Sequence, residues 1–496
     1  MKQEKAKLLF EAIGLVREET VEETQKALQR RRRPGLRRAM VLAACFCLVL
    51  AAGAIVRNLG LVGFPFLFPG GSTGGGGQTG TSYMSYMGPV FPLSAQDGGE
   101  GLEVSRSTDF GFSNPRDRQL ECRITEEYVI SNPGETAETV TLLYPFAAAL
   151  SDEAKYFPTL RVDGAPLEPE LLAGVVTDGV GEIGAVRSWE DYRGLLEGEL
   201  PLPALRDPGL MDLPVTVYEL SDMYDEGGEQ RSTSALNLEF TADFSRTAIL
   251  TYRFNGGSND LETGRCDRHT DIQEHTNPAW GESAFLLVLG EDIEGCEMKA
   301  WSSATLETPA EQAGGTLRSY TSTLGEMTAI ALETELRIFM NQNADGNLYL
   351  SHERLLELAL ARMEELGLTG EGPGSFTYRS EGFLEDIFTV VLRHRRLMYC
   401  RFTLTVPAGE SVTVTAEYIK QPSIDFGGRE AYRNGYDLVT KLGSELTFTK
   451  QEASLSGGEK LEIVDQNFGF DLKQGITKVT LDPEKEHYYL DVRLKG

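Results

Sequence analysis

The chain has 496 residues, of which 41% are hydrophobic and 25% charged, a globular composition that excludes wholesale disorder. Its formal charge of −28 is unevenly divided: residues 1–38 hold 11 Lys and Arg against 6 Glu, and the remainder holds 36 against 69 acidic residues. So acidic an exterior repels polyanions, and no nucleic acid partner is expected; cations and basic surfaces fit better.

Residues 1–38 read as a cytoplasmic helical stub with a basic flank. Leu9, Ile13 and Val16 recur at i, i+4 and i+7, and a charged stretch from Arg17 to Gln29 follows Gly14. Segments this short are marginal alone and gain stability by burying their apolar stripe on a partner; otherwise the stub is a solvated flank. Arg30–Arg38 (RRRRPGLRR) then runs into the uncharged apolar stretch of residues 39–56. As a helix those residues would span about 27 Å, close to the roughly 30 Å hydrocarbon core, which predicts a single transmembrane helix in membrane lipid. The arginine collar places the N-terminus in the cytoplasm and the C-terminal region outside the cell membrane. Leu42–Cys45 has the form of a lipoprotein box and Ala52-Gly53-Ala54 that of a signal-peptidase site. The first lies too close to Arg38 and the second follows too long a polar leader, so an uncleaved signal-anchor is the preferred reading.

Residues 57–101 read as a Gly/Pro-rich linker. Leu59–Pro69 is apolar but broken by Gly60, Gly63 and Pro65, and Gly70–Thr81 is a flexible tether. Within it, Gly70–Gly74 spells a nucleophile elbow and Gly75–Gly80 a dinucleotide glycine pattern. Neither follows a strand or opens a helix, so both read as accidents of composition.

Beyond the linker, residues 102–300 form an expected first β-rich unit. Cys122–Ile130 and Thr139–Tyr144 flank a Pro-Gly turn over Ser131–Glu135, which predicts a β-hairpin; Leu236–Phe240, Ala248–Phe254 and Ala284–Leu289 are further strands. Ser188–Asp191 resembles a capping box and opens a short helix through Leu196. Cys266, Asp267, Arg268 and His269, with Glu274 and His275, form the densest group of potential metal ligands, but their spacing matches no zinc knuckle and an exposed polar loop explains them more simply.

Residues 301–399 read as a mixed α+β segment. Leu336–Met340 and Leu348–Leu350 flank an Asp-Gly turn like hairpin strands, while Asn341–Asn347 has the alternate oxygen ligands of a calcium loop. Asn at its first position and His352 at its twelfth depart from that pattern, and the turn is preferred. Ser351 caps a helix from His352 to Leu366 that Gly367 ends. Residues 400–496 form the second β-rich unit, where Phe402–Leu404 and Ser411–Tyr418 align with Phe240–Ala242 and Thr247–Tyr252 as a weak internal repeat. Cys45 and Cys47 lie in the apolar stretch; Cys122, Cys266, Cys296 and Cys400 lie beyond it and admit three pairings or free thiols.

The predicted class is therefore mainly β, α+β in detail: one transmembrane helix followed by β-sandwich-like units with a mixed insert. The acidic residues are too numerous for a glycosidase pair to be claimed or excluded. No catalytic, cofactor-binding or metal residue is assigned, no cofactor is expected, and an enzyme is not.

Leu8–Glu23 (LLFEAIGLVREETVEE) and the cysteine-bearing Ala43–Val49 resemble the N-termini of clostridial and other Gram-positive single-pass membrane regulators of the anti-sigma-like type. The resemblance covers about the first 56 residues. It implies a cytosolic sigma-factor-like partner at the stub and no enzymatic activity. Residues 1–38 lack the His and Cys that the zinc-binding anti-sigma module requires. The expected function is extracytoplasmic sensing or binding of an unknown ligand, with anti-sigma-like regulation in the cytosol; the alternative is a cell-surface adhesion or ligand-binding protein with an inert stub.

Overall fold

The computed structural model describes residues 86–112, 120–177, 186, 188–196, 205–226, 234–272, 283–342, 349–367, 382–425, 433–441 and 446–495. The stub, the expected span and the linker up to residue 85 lie outside these. Among the described residues no helix is long and apolar enough to cross a membrane.

The fold is mostly β. Its first strands are β1 (Ser94–Asp97), β2 (Glu103–Gly111), β3 (Cys122–Ser131), β4 (Glu138–Ala148), β5 (Thr159–Val162), β6 (Ala165–Leu167) and β7 (Glu170–Val176). After helix α1 (Trp189–Leu196) come β8 (Pro214–Asp225), β9 (Ala235–Thr241), β10 (Thr247–Tyr252), β11 (Gly256–Asn259), β12 (Arg265–Asp271), β13 (Ala284–Gly290), β14 (Glu294–Trp301) and β15 (Ala313–Thr323). Helices α2 (Leu324–Gln342) and α3 (His352–Glu365) follow, then β16 (Gly382–Phe383), α4 (Leu384–Arg393), β17 (Arg396–Val406) and β18 (Ser411–Lys420). The chain closes with β19 (Ser423–Asp425), β20 (Arg433–Val439), β21 (Thr447–Ser456), β22 (Leu461–Gln466), β23 (Lys478–Thr480) and β24 (His487–Leu494).

Two sandwiches are nested rather than placed in tandem. Sheets β1-β4-β17-β7 and β23-β21-β2-β3-β18-β5-β6 draw strands from both ends of the described chain, so the boundaries expected at residues 300 and 400 do not follow the sheets. Between β7 and β17 the chain leaves to build a second pair, β15-β8-β13-β10-β16 and β11-β12-β9-β14. Exit and return are tied at the base, where the Thr177 amide donates to the Arg395 carbonyl at 2.8 Å. A fifth sheet, β19-β20-β24-β22, is made from the last part of the chain.

The strands expected at 122–130 and 139–144 are present, but they do not form a hairpin. β3 pairs with β2 and β18, whereas β4 pairs with β1 and β17. The Pro-Gly segment is an arch that carries the chain from one sheet to the other. β17 and β18 make a second arch stacked on the first, and Asn132 stitches the two together by donating from Nδ2 to Val406 O at 3.0 Å. Turn chemistry fixes the reversal of direction but not the rotation of the strands about their axes, and here each strand turns its alternate apolar residues toward the other sheet. Both halves of the weak repeat share this form, because β9 and β10 also lie in different sheets.

β10 and β13 are buried on both faces. Val288, Leu286 and Ile249 pack toward β9, while Leu250, Leu287 and Leu289 pack into the core shared with the helices. That double burial is why TAILTY and AFLLVLG are continuous apolar runs rather than alternating ones.

Three local expectations require correction. Leu336–Met340 is the last part of helix α2, not a strand. Leu324, Met327, Ala331 and Leu332 already set a helical apolar face, and Ile338 and Phe339 continue it; a five-residue window hides that period. Cys266–His269 lies in strand β12, not in a loop, with Cys266 and Arg268 buried on one face. The linker expected to reach residue 101 stops earlier: Val90, Phe91 and Leu93 are fully buried, and β1 pairs with β4. Pro89 and Pro92 hold this stretch extended, so its apolar residues can all be buried as a strap. The α3 helix stands as predicted, with Ser351 Oγ accepting from the Arg354 amide at 3.2 Å and Gly367 at φ 69°.

Candidate functional site

The strap of residues 86–93 covers a set of buried charges that the alternating pattern aims inward. In β3, positions 122, 124, 126, 128 and 130 face the interior, so Glu126 sits in the core; β2 and β18 do the same with Arg106 and Lys420. The Arg106 and Glu126 side chains are 0% exposed and pair at 2.7 Å. Glu126 also accepts from Thr108 Oγ1 at 3.0 Å, from the Tyr128 hydroxyl at 3.1 Å and from the Tyr144 hydroxyl. Arg106 donates to the carbonyls of Val439 at 2.6 Å and Phe91 at 3.1 Å. One ion pair thus fastens the strap and both sheets of the first sandwich to β20.

Beside this network lies a small open recess with an enclosed volume of about 20 Å³, where the strap, the end of β18 and the return from the second sandwich meet. Met87, Asp152, Tyr156, Arg395, Tyr418 and Lys420 line it. Lys420 is 6% exposed, and its ammonium donates to the strap carbonyls of Met87 at 3.1 Å and Pro89 at 3.5 Å. Burial pushes its pKa down to about 7; Asp437 pulls the other way and Arg395 adds to the lowering. Asp437 is itself shared, accepting from the Tyr86 hydroxyl and lying 3.3 Å from His487 Nε2. Trp189 of α1 stacks on His487 at 5.9 Å. Two cationic groups, Lys420 and Arg395, thus line the recess together with the carboxylate of Asp152, which accepts from the Ala149 amide at 2.9 Å.

A second buried charge lies between the second sandwich and the helices. Glu385, at the start of α4, accepts from the backbone amide of Arg253, which follows β10 at φ 65°. Burial pushes its carboxyl up to about 7, the Arg253 amide opposes this, and the Glu335 carboxylate adds to it. Between pH 4.5 and 7 the unfolded chain would release this proton while the folded chain keeps it, so this group lowers stability as pH rises and its cost is complete above pH 7. Glu385→Gln is expected to remove up to about 1.4 kcal/mol of that loss per pH unit in this window. Urea denaturation of both proteins at pH 5 and pH 8 measures it; equal pH dependence in the two would refute the assignment.

The sequence-level candidates do not converge. Glu274, His275, residues 343–348 and the two glycine patterns lie outside the described residues. Asn341 and Gln342 end α2. Among the described residues no group of three or more His, Cys, Asp or Glu is placed to hold a metal, and Cys122, Cys266, Cys296 and Cys400 are free thiols. Sequence reasoning missed Arg106, Glu126 and Lys420, whose signal was a charge at the inward parity of an otherwise apolar strand face.

Comparison with protein families gives no match, and no curated protein compared matches the chain. Among solved structures it is similar to a Legionella pneumophila protein described as a candidate nutrient-binding protein, at 8% identity over 82% of this chain and 70% of that one, with a TM-score of 0.26. A superposition that loose establishes neither a shared fold nor a shared role.

Proposed function

We propose that this chain is a single-pass membrane protein, N-terminus inside, whose β-rich region binds or senses a ligand outside the cell. The observation that supports the binding half is the recess at Lys420 and Arg395, walled by a strap that is the first described segment after the tether. A ligand seated there bears on the stretch of chain leading back toward residues 39–56. In the regulatory version, residues 8–28 hold a sigma-factor-like cytosolic partner.

Protease shaving of intact cells carrying a tag at each end tests the topology: the C-terminal tag should be lost and the N-terminal one spared, and the reverse result would sink the proposal. Residues 1–38 used as bait should recover a partner that a scrambled stub does not. Without one, and with transcription unchanged by deletion of residues 2–28, the protein is instead a surface binding protein with an inert stub.

A further inference from the structure

Among the described residues the five sheets end in ten edge strands, and nine of those edges are short, charged or covered. β1, β6, β11, β16, β19 and β23 have two to four residues each. β14 carries Glu294, Glu297 and Lys299, β22 carries Glu462 and Asp465, and both are bulged. β7 is mostly buried or half-buried. Each device keeps a strand edge from pairing with another chain. β15 is the exception. Its 11 residues pair with β8 alone, Arg318 to Thr321 are exposed in succession, and Ser319–Thr323 (SYTST) holds no charge, proline or bulge.

The register shows which backbone groups lie open. The Leu324 amide donates to Leu213 O at 2.8 Å, so bonded pairs recur at Ser322–Val215, Tyr320–Val217 and Arg318–Glu219; Pro214, which has no N–H, stands opposite Thr323. The N–H and C=O groups of Leu317, Ser319, Thr321 and Thr323 therefore point away from β8. On the face that carries Arg318 and Tyr320, Ser322 Oγ donates to Glu326 Oε2 at 2.6 Å, and Tyr320 stays 40% exposed. Ile330, one turn beyond Glu326 on α2, is 47% exposed.

We propose that β15 is a dimer interface, pairing antiparallel with β15 of a second copy of this chain about a two-fold axis at Tyr320. With the axis there, every residue from Leu317 to Thr323 has a partner. Ser319 bonds to Thr321 of the partner subunit, the two Tyr320 rings lie side by side, and Arg318 stands opposite Ser322 of the partner subunit, within reach of the carboxylate that Ser322 holds. Symmetry makes the Arg318–Glu326 pair twice, and that complementarity favours a second copy over an unrelated strand. The overall negative charge of the chain opposes association, but at physiological ionic strength it is screened beyond about 8 Å. The interface does not depend on the ligand-binding reading above.

Light scattering of the full-length protein in detergent, over a range of concentrations, should show a reversible dimer. Thr321→Pro removes an outward N–H, spares the β8 ladder and should abolish the dimer. Arg318→Glu should weaken it about tenfold or more, and Arg318→Glu with Glu326→Arg should restore it. In native membranes oxidised with copper phenanthroline, Tyr320→Cys should give a disulfide-linked product of twice the chain mass, because facing Cα atoms of a non-bonded antiparallel pair lie about 4.5 Å apart. Glu417→Cys, on the exposed face of another sheet, should give none above background. Where a proline or charge variant fails to fold, or detergent yields only single chains, the crosslink in membranes decides. No Tyr320→Cys product above the Glu417→Cys level overturns the inference, as does a dimer that survives both Thr321→Pro and Arg318→Glu. A Tyr320→Cys product with a different protein also overturns it and makes β15 a docking edge for that protein.

Discussion

Glu126→Ala is expected to destabilise the folded protein by about 3–5 kcal/mol, the range typical of removing one partner of a buried ion pair. The loss has two sources. Arg106 stays in the core with its charge uncompensated, and the hydroxyls of Thr108, Tyr128 and Tyr144 lose their common acceptor. The contrasting case is Arg123–Glu417, whose side chains are 52% and 51% exposed, so Glu417→Ala should change stability by less than about 1 kcal/mol. Denaturant titration of both variants measures the difference. Adding Arg106→Met to Glu126→Ala should recover part of the loss, since the orphaned charge goes with it, and the non-additivity is itself the signature of a coupled pair. Equal effects at the buried and exposed sites would show that the Arg106–Glu126 pair is not closed off from solvent.

Lys420→Met is expected to change how stability depends on pH more than stability at any one value. With a folded pKa of about 7 against an ordinary value of 10.5, Lys420 imposes its full cost below pH 7, where both folded and unfolded chains carry the proton. Between pH 7 and 10.5 the unfolded chain binds more protons than the folded one, so this group makes stability rise with pH, by up to about 1.4 kcal/mol per unit. Methionine removes that rise, and the gain it brings at pH 6.5 should have faded by pH 9.5. The Glu385 effect has the opposite sign and lies lower on the pH scale, so the two separate when denaturation midpoints are followed from pH 4.5 to 10 in each variant. A variant whose profile parallels that of the unaltered protein would mean that Lys420 meets water freely in the folded state.

Much of the local structure was legible. The strands around 122–131, 235–241, 247–252 and 284–290, the short helix from Trp189 and the Ser351-capped helix lie where pattern and capping placed them. Pairing was not legible. The Pro-Gly segment after Ser131 spells a turn, but nothing in a single sequence says whether the strands beside it bond to each other or to partners some 270 residues away, as β3 does to β18 and β4 to β17. Leu336–Met340 failed for a related reason: a short apolar run fits both periods, and only burial against the neighbouring helices selects the helix.

The sequence alone determined the quantities that depend on near neighbours: which stretches extend, where α3 starts and stops, and which strand positions share a face. It placed Glu126 on the same face as Ile124 and Tyr128, because side chains alternate strictly along a strand. Only the tertiary structure decided that this face is the interior, that Arg106 waits there to pair with it, and that the strap, Lys420 and Arg395 meet at one recess. Those outcomes join residues hundreds of positions apart, and the energy that selects them comes from burying surfaces together, which no local pattern records.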